Sequence, residues 1–275
     1  ELFFGLLDPT GSLYERAFSM YGALREHEMM ENVLRHEFHI DVVRLKETVV
    51  QVANWRPDVR KKLIELAREV VSHEGDESSK EEIQNEFDRN AKYLDTEHFF
   101  DILVMNPGID FKLKGSRLRN IRVNIEGRQP LSNLYFMRDQ QFVTDNGLVL
   151  TRMASSTRRD ETKVTKFLWE EVLGIPILHE MKDPATIEGG EFVPMGDFAL
   201  VGIGSRTNRE AIDQLLSLNL NYKEIGVVHQ PMHPLIHADE PDPMVNMHLD
   251  TYFNVPASNV VVGSDLLLKN ARVEI

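Results

Sequence analysis

Phe142-Val143-Thr144-Asp145-Asn146-Gly147-Leu148-Val149-Leu150-Thr151 carries the clearest fold signal in this chain. Two short apolar, partly β-branched runs flank a turn, and an Asn-Gly pair readily takes the positive φ that a tight hairpin requires. Just downstream, residues 158–173 carry Val164, Phe167, Leu168, Val172 and Leu173 at helical spacing, with Gly174 as the stop. Ile175-Pro176-Ile177-Leu178 then reads as a strand. The same order returns: Phe192-Val193-Pro194-Met195 and Phe198-Ala199-Leu200-Val201 flank Gly196-Asp197, residues 210–218 read as a helix, and residues 224–228 as a strand. Residues 244–254 and 259–263 predict the hairpin of a third unit, with residues 265–268 opening its helix. A repeat of roughly 50 to 60 residues lies in the range where one supersecondary unit builds a radial, propeller-like array. The expected class is α/β.

Toward the amino end, residues 2–7 form an apolar run closed by Asp8-Pro9-Thr10-Gly11-Ser12. Leu13, Ala17, Met20, Leu24 and Val33-Leu34 then recur at helical spacing, and residues 39–43 read as a strand. The character changes after that. Pro57 opens a helix whose Val59, Leu63, Ile64, Leu66 and Ala67 form a stripe opposite Lys and Arg. Residues 73–86 are a charged connector in which Ser78-Ser79 cap a helix over 81–90, and a shorter helix covers 97–105. The expected division is a first unit at 1–46, a helical insertion at 47–105, and the continued unit array at 106–275. The chain opens without Met and ends in mid-pattern, so both ends read as cut.

Acidic residues outnumber basic ones 44 to 31, for a net charge of −13. That balance repels phosphate backbones and anionic membranes, so nucleic acid and lipid surfaces are not expected partners. With no cysteine there is neither a disulfide framework nor a thiolate metal site. No apolar run of about 18 residues is present, and no leader pattern opens the chain. The reading is cytoplasmic.

Four stretches could carry chemistry. Met247-His248-Leu249-Asp250-Thr251, if a strand, places His248 and Asp250 on one face. Asn133-Leu134-Tyr135-Phe136-Met137-Arg138-Asp139 ends in a carboxylate that either binds a planar cation or closes a salt bridge with Arg138. In Ile187-Glu188-Gly189-Gly190-Glu191, two glycines let the backbone approach a neighbour closely. Gly202-Ile203-Gly204-Ser205-Arg206-Thr207-Asn208 ends a strand, with Thr207 as the expected helix cap and Arg206 beside the helix amino terminus, where an anion is favoured. In a radial array such strand ends converge, so Asp139, Glu188, His248 and Asp250 would form a negative pocket for a guanidinium or amidinium. A divalent cation is the minority alternative. His229, His233 and His237 cannot share a helix face because Pro231 and Pro234 intervene, and together with Asp239, Glu240 and Asp242 they read as a loop.

These four stretches, in this order and spacing, resemble the arginine deiminases of the guanidino-group-modifying superfamily. The resemblance implies a five-bladed α/β propeller of ββαβ-type units, incomplete here, with the helical insertion characteristic of that family. It implies that Asp139 and Asp250 bind a guanidinium, that His248 is a general acid/base, and that Glu188 pairs with His248. It also implies that Arg206 holds the substrate carboxylate, helped by Arg158, and that Asn133 and Phe136 line the site. No cofactor and no metal are implied. The substrate would be L-arginine, hydrolysed to L-citrulline and ammonia through a covalent cysteine intermediate, and self-association into a homo-oligomer is allowed. The family's cysteine nucleophile, near the carboxyl terminus in a glycine-rich loop, has no counterpart in these 275 residues, so it is expected outside them. Glu191 stands where the family usually has Asp. The alternatives are an inactive arginine-binding module, an amidinotransferase or an agmatine deiminase, and Arg206 argues against the last because agmatine has no carboxylate.

Overall fold

A computed structural model describes residues 19–74, 77–114, 117–124, 130–233 and 246–275. Residues 2–7, the 8–12 turn, the start of the first helix, and His237, Asp239, Glu240 and Asp242 lie outside that set. The chain divides into two compact units between Asn133 and Leu134.

In the first unit, helix α1 (Met20–His36) is capped by Ser19. Residues 39–43, expected as a strand, run unpaired into helix α2 (Leu45–Trp55), which the sequence pattern does not separate from the helix after it. Helix α3 (Pro57–Val70) begins at Pro57 and buries Val59, Leu63, Ala67 and Val70, the expected stripe. Helices α4 (Glu77–Ala91) and α5 (Thr96–Met105) come next, and Ser78-Ser79 lie inside α4 rather than capping it. Strand β1 (Ser72–Glu74) pairs in parallel with β2 (Gly108–Lys114), which pairs antiparallel with β3 (Arg117–Asn124). Strands therefore return earlier than residue 122, where the sequence pattern restarts them.

The second unit carries the repeated pattern. Strands β4 (Gln141–Thr144) and β5 (Gly147–Leu150) form the Asn-Gly hairpin. Helix α6 (Glu161–Phe167) runs on through a π-helical turn, Leu168–Val172, to Gly174 at φ +68°, and β6 (Ile177–Glu180) lies parallel to β5. The second repeat is the hairpin of β7 (Phe192–Pro194) and β8 (Phe198–Ile203), helix α7 (Arg209–Leu216), and β9 (Glu224–His229) parallel to β8. A third hairpin, β10 (Phe253–Ala257) with β11 (Val260–Gly263), leads into the short helix α8 (Asp265–Leu268); its first arm begins at Phe253 rather than spanning the expected 244–254, of which 244–245 lie outside the described residues. Strand β12 (Arg272–Glu274) pairs antiparallel with β9. The ββαβ units of an α/β fold are thus present as expected. Their common core joins Phe142, Val149, Ile187, Phe192, Val201, Ile212 and Leu215, with Phe142 and Phe192 stacked at 4.4 Å.

Three local expectations are corrected. Asn208, not Thr207, caps α7, because its side chain accepts from the Ala211 amide. His229 closes β9 and hydrogen-bonds Glu274, so it is not a loop histidine. His248 and Asp250 are not on a strand: His248 is extended, and Leu249–Thr251 turn as a 3-10 helix. Among the described residues no helix is long and apolar enough to cross a membrane.

Candidate active site

The site forms where three backbone segments are drawn together over glycines. Residues 132–135 make a 3-10 turn, which breaks the alternation expected from Asn133 to Asp139; Asn133, the last residue of the first unit, is buried. Asp139 lies further on, immediately ahead of β4. Its carbonyl accepts from the Gly189 amide at 2.9 Å and from Thr151 Oγ1 at 2.8 Å. A Cβ on Gly189 would overlap the carbonyl oxygens of Arg138 and Gln141, so only glycine allows this approach. A Cβ on Gly190 would stand 2.8 Å from both Asp250 Oδ1 and His248 Nδ1. The Gly-Gly pair therefore sits between the Asp139 segment and the His248–Asp250 turn.

Around this floor the charged side chains are packed at close range. His248 Nε2 donates to Glu188 Oε2 at 2.8 Å, and His248 Nδ1 lies 3.6 Å from Asp139 Oδ1. Glu188, fully buried, also accepts from the Ala154 amide. Arg158 Nη1 donates to Asp139 Oδ2 at 2.8 Å and is 3.9 Å from Glu188 Oε2. Its other edge donates to Glu161, which Gln140 also holds. The Arg158 guanidinium lies 5.9 Å from the Phe136 ring centre, a cation–π distance. Asp250 is more open, with one quarter of its side chain exposed and Arg138 Nε at 3.6 Å. The Arg206 Nε is buried without a hydrogen-bond partner among the described residues.

The electrostatics result from this packing. Burial alone would raise the Glu188 pKa, but the His248 hydrogen bond and the charges of His248, Arg206 and Arg158 hold it below the ordinary carboxylate value. Burial opposes the His248 charge, yet the Glu188 hydrogen bond and the Asp139, Glu188 and Glu191 carboxyls raise its pKa, favouring imidazolium. Asp250 is pushed up by burial, and Asp139 adds to the rise while His248 and Arg138 oppose it. Asp139, Glu188 and His248 offer ligand atoms within 4.8 Å of one another, a spacing compatible with a metal ion. The adjoining Arg158 and a proton-favouring imidazole both work against a divalent cation, since metal ligation needs a neutral histidine.

Of the expected site residues, Asp139, Glu188, His248 and Asp250 come together, with Phe136 beside them. Arg158, expected as a helper for a substrate carboxylate, is instead engaged with Asp139 and Glu161 and almost fully buried. Sequence reasoning misses Glu161 and Gln140, although Glu161 stands three residues after Arg158, an ion-pairing interval.

The family model for arginine deiminase matches residues 11–274. The chain belongs to the arginine deiminase family. Curated arginine deiminases similar to it include that of Halobacterium salinarum, 25% identical with all of this chain and 68% of the relative covered. The enzyme of Staphylococcus haemolyticus is 27% identical, with 90% of this chain and 59% of the relative covered. The chain thus spans about three fifths to two thirds of the length of these two. Solved structures similar to it include the substrate-bound N-terminal domain of ArgZ, an arginine dihydrolase from cyanobacteria (18% identity, TM-score 0.40, 51% of this chain and 49% of that chain). Another is the dimethylarginine dimethylaminohydrolase of Pseudomonas aeruginosa in complex with citrulline (21% identity, TM-score 0.37, 48% and 46%).

Proposed function

We propose that the whole protein is a cytoplasmic arginine deiminase, hydrolysing L-arginine to L-citrulline and ammonia. The observation that carries this is the buried Asp139–Glu188–His248 cluster, which already seats one guanidinium, that of Arg158, against two carboxylates. Asp139 and Asp250 clamp the planar cation from two sides, and carboxylate pairs match guanidinium geometry. Arg206, whose buried Nε has no partner among the described residues, takes the substrate carboxylate. A cysteine thiolate from outside these residues attacks the guanidinium carbon. His248, raised toward imidazolium by Glu188 and Asp139, protonates the departing ammonia. It then takes a proton from the water that attacks the covalent intermediate; expulsion of the thiolate leaves protonated citrulline, whose remaining hydroxyl proton passes to the released ammonia.

One other reading has a specific observation behind it. The 275 residues contain no cysteine, so an arginine-binding module that performs no chemistry would keep the clamp and lack the thiol. Both readings require arginine to bind. Calorimetry on the chain should detect L-arginine, with affinity falling by about tenfold or more in Asp250→Ala, the loss of one charge-assisted pair. Agmatine should bind more weakly than arginine if Arg206 holds a carboxylate. Unchanged affinity in Asp250→Ala, with the chain folded, would show that the clamp is misassigned. Citrulline formation by the full-length protein then separates the enzyme from the binding module.

A further inference from the structure

Glu191 is fully buried, and no step of the proposed reaction uses it. Its carboxyl lies over Gly202, where a Cβ would overlap Oε2. Gln230 Nε2 donates to both carboxyl oxygens, at 2.6 and 2.7 Å, and Gln230 itself needs Gly204, whose Cβ would come within 2.8 Å of its Oε1. Two glycines and a glutamine thus build a socket for one carboxyl group. From that socket Oε2 accepts the backbone amide of Leu249 at 3.0 Å. Leu249 is the residue between His248 and Asp250.

We propose that Glu191 is a positioning residue for the site: by holding the Leu249 amide it fixes the turn that sets His248 against Glu188 and Asp250 over Gly190. This rests on the arginine reading only for the ligand. The physical case is local. Leu249 is 1% exposed and packs with Val193, Val228, Tyr252 and Leu267. Its side chain thereby fixes the depth of the turn, while the amide bond fixes its rotation about the chain. Among the described residues, no other hydrogen bond ties the backbone donors of this 3-10 turn to a distant segment. Without it, the rotation of the turn that presents the imidazole to Glu188 loses this tether.

The test uses the chain with Glu191→Ala and Glu191→Gln, the second keeping an acceptor oxygen without the charge. Three quantities are read: exchange protection of the Leu249 amide and the His248 titration, both by NMR, and L-arginine affinity by calorimetry. Glu191→Ala should lower amide protection and arginine affinity by about tenfold each, the scale of one lost buried hydrogen bond. It should also bring the His248 titration closer to the ordinary histidine value than Glu191→Gln does, because both variants remove the Glu191 charge and only the first frees the turn. Glu191→Gln should stay within about threefold of the parent for protection and affinity. Should Glu191→Ala fail to fold, Gly202→Ala replaces it, since it keeps the carboxyl and drives it from the socket, with the same expectations. An unchanged Leu249 amide in the Ala variant, or equal damage from Ala and Gln, overturns the proposal. If the parent chain binds no arginine, the substrate reading falls, and the Leu249 amide readout still decides the role of Glu191.

Discussion

Among single residues, the glycines make the sharpest demands. A methyl at Gly190 would crowd Asp250 Oδ1 and His248 Nδ1 at 2.8 Å each, closer than ordinary van der Waals contact. Gly190→Ala should therefore abolish measurable arginine binding while leaving the fold in place. A calorimetric affinity within about threefold of the parent would sink this. Arg158 makes a different demand. Its guanidinium, 2% exposed, neutralises Asp139 and Glu161, and stands near Glu188. Burial pulls against its charge, and the Glu161 and Asp139 contacts more than compensate, raising its pKa. Removing one partner of a buried ionic group leaves uncompensated charge, which costs about 3–5 kcal/mol. Arg158→Met should show that loss in a denaturant melt at neutral pH, and a loss under about 1 kcal/mol would mean that the pairs do not hold the segment.

Between elements, the 3-10 turn Leu249–Thr251 joins the core to the chemistry. Leu249 enters the cluster of Val193, Val228, Tyr252 and Leu267, so the turn carries packing energy as well as Asp250 of the candidate site. Leu249→Ala should destabilise the fold by about 2–5 kcal/mol, through lost burial and the cavity left behind. Thermal and denaturant unfolding check this, and an arginine affinity unchanged in the folded variant would separate packing from site geometry. This turn also marks where sequence legibility stops. The hairpin at Asn146-Gly147 and the stop at Gly174 are decided by residues a few positions apart, and both are legible in the sequence. His248 to Asp250 reads as a strand because its alternation fits one. Its real conformation is set by Glu191, which binds the Leu249 amide from 58 positions away. The Arg158–Glu161 pair is signalled by its three-residue interval, whereas nothing local announces that Asp139, 19 positions earlier, takes the other edge of the guanidinium. The cap of α7 slips by one residue because Thr207 and Asn208 are both good caps and only the fold chooses.

For the molecule as a whole, stability should depend on pH through the same buried carboxyl. Burial pushes the Glu191 pKa from its ordinary 4.5 up to about 7, with the Asp250 charge adding to the rise and His248, the Leu249 amide and Gln230 opposing it. The phenol of Tyr252, pushed up to about 12 by burial and by Glu191, stays neutral throughout this range. A group whose pKa is higher folded than unfolded binds more protons in the folded state between the two values. Stability therefore falls as pH rises from about 4.5 to about 7: the contribution is complete below the unfolded value and lost through the folded one. For a fully buried group a shift of this size corresponds to roughly 3 kcal/mol. His248, also raised, acts with the same sign, whereas Glu188, lowered, loses its contribution only as pH falls through its folded value. Comparing the parent with Glu191→Gln isolates the Glu191 part, because glutamine resembles the protonated acid at every pH. The parent should match the variant in melting temperature below about pH 4, fall progressively below it as pH rises from about 4.5 to about 7, and level off above that. Parallel melting curves across that range would mean that Glu191 is ionised throughout, its charge accommodated by Gln230 and the Leu249 amide without a rise in pKa.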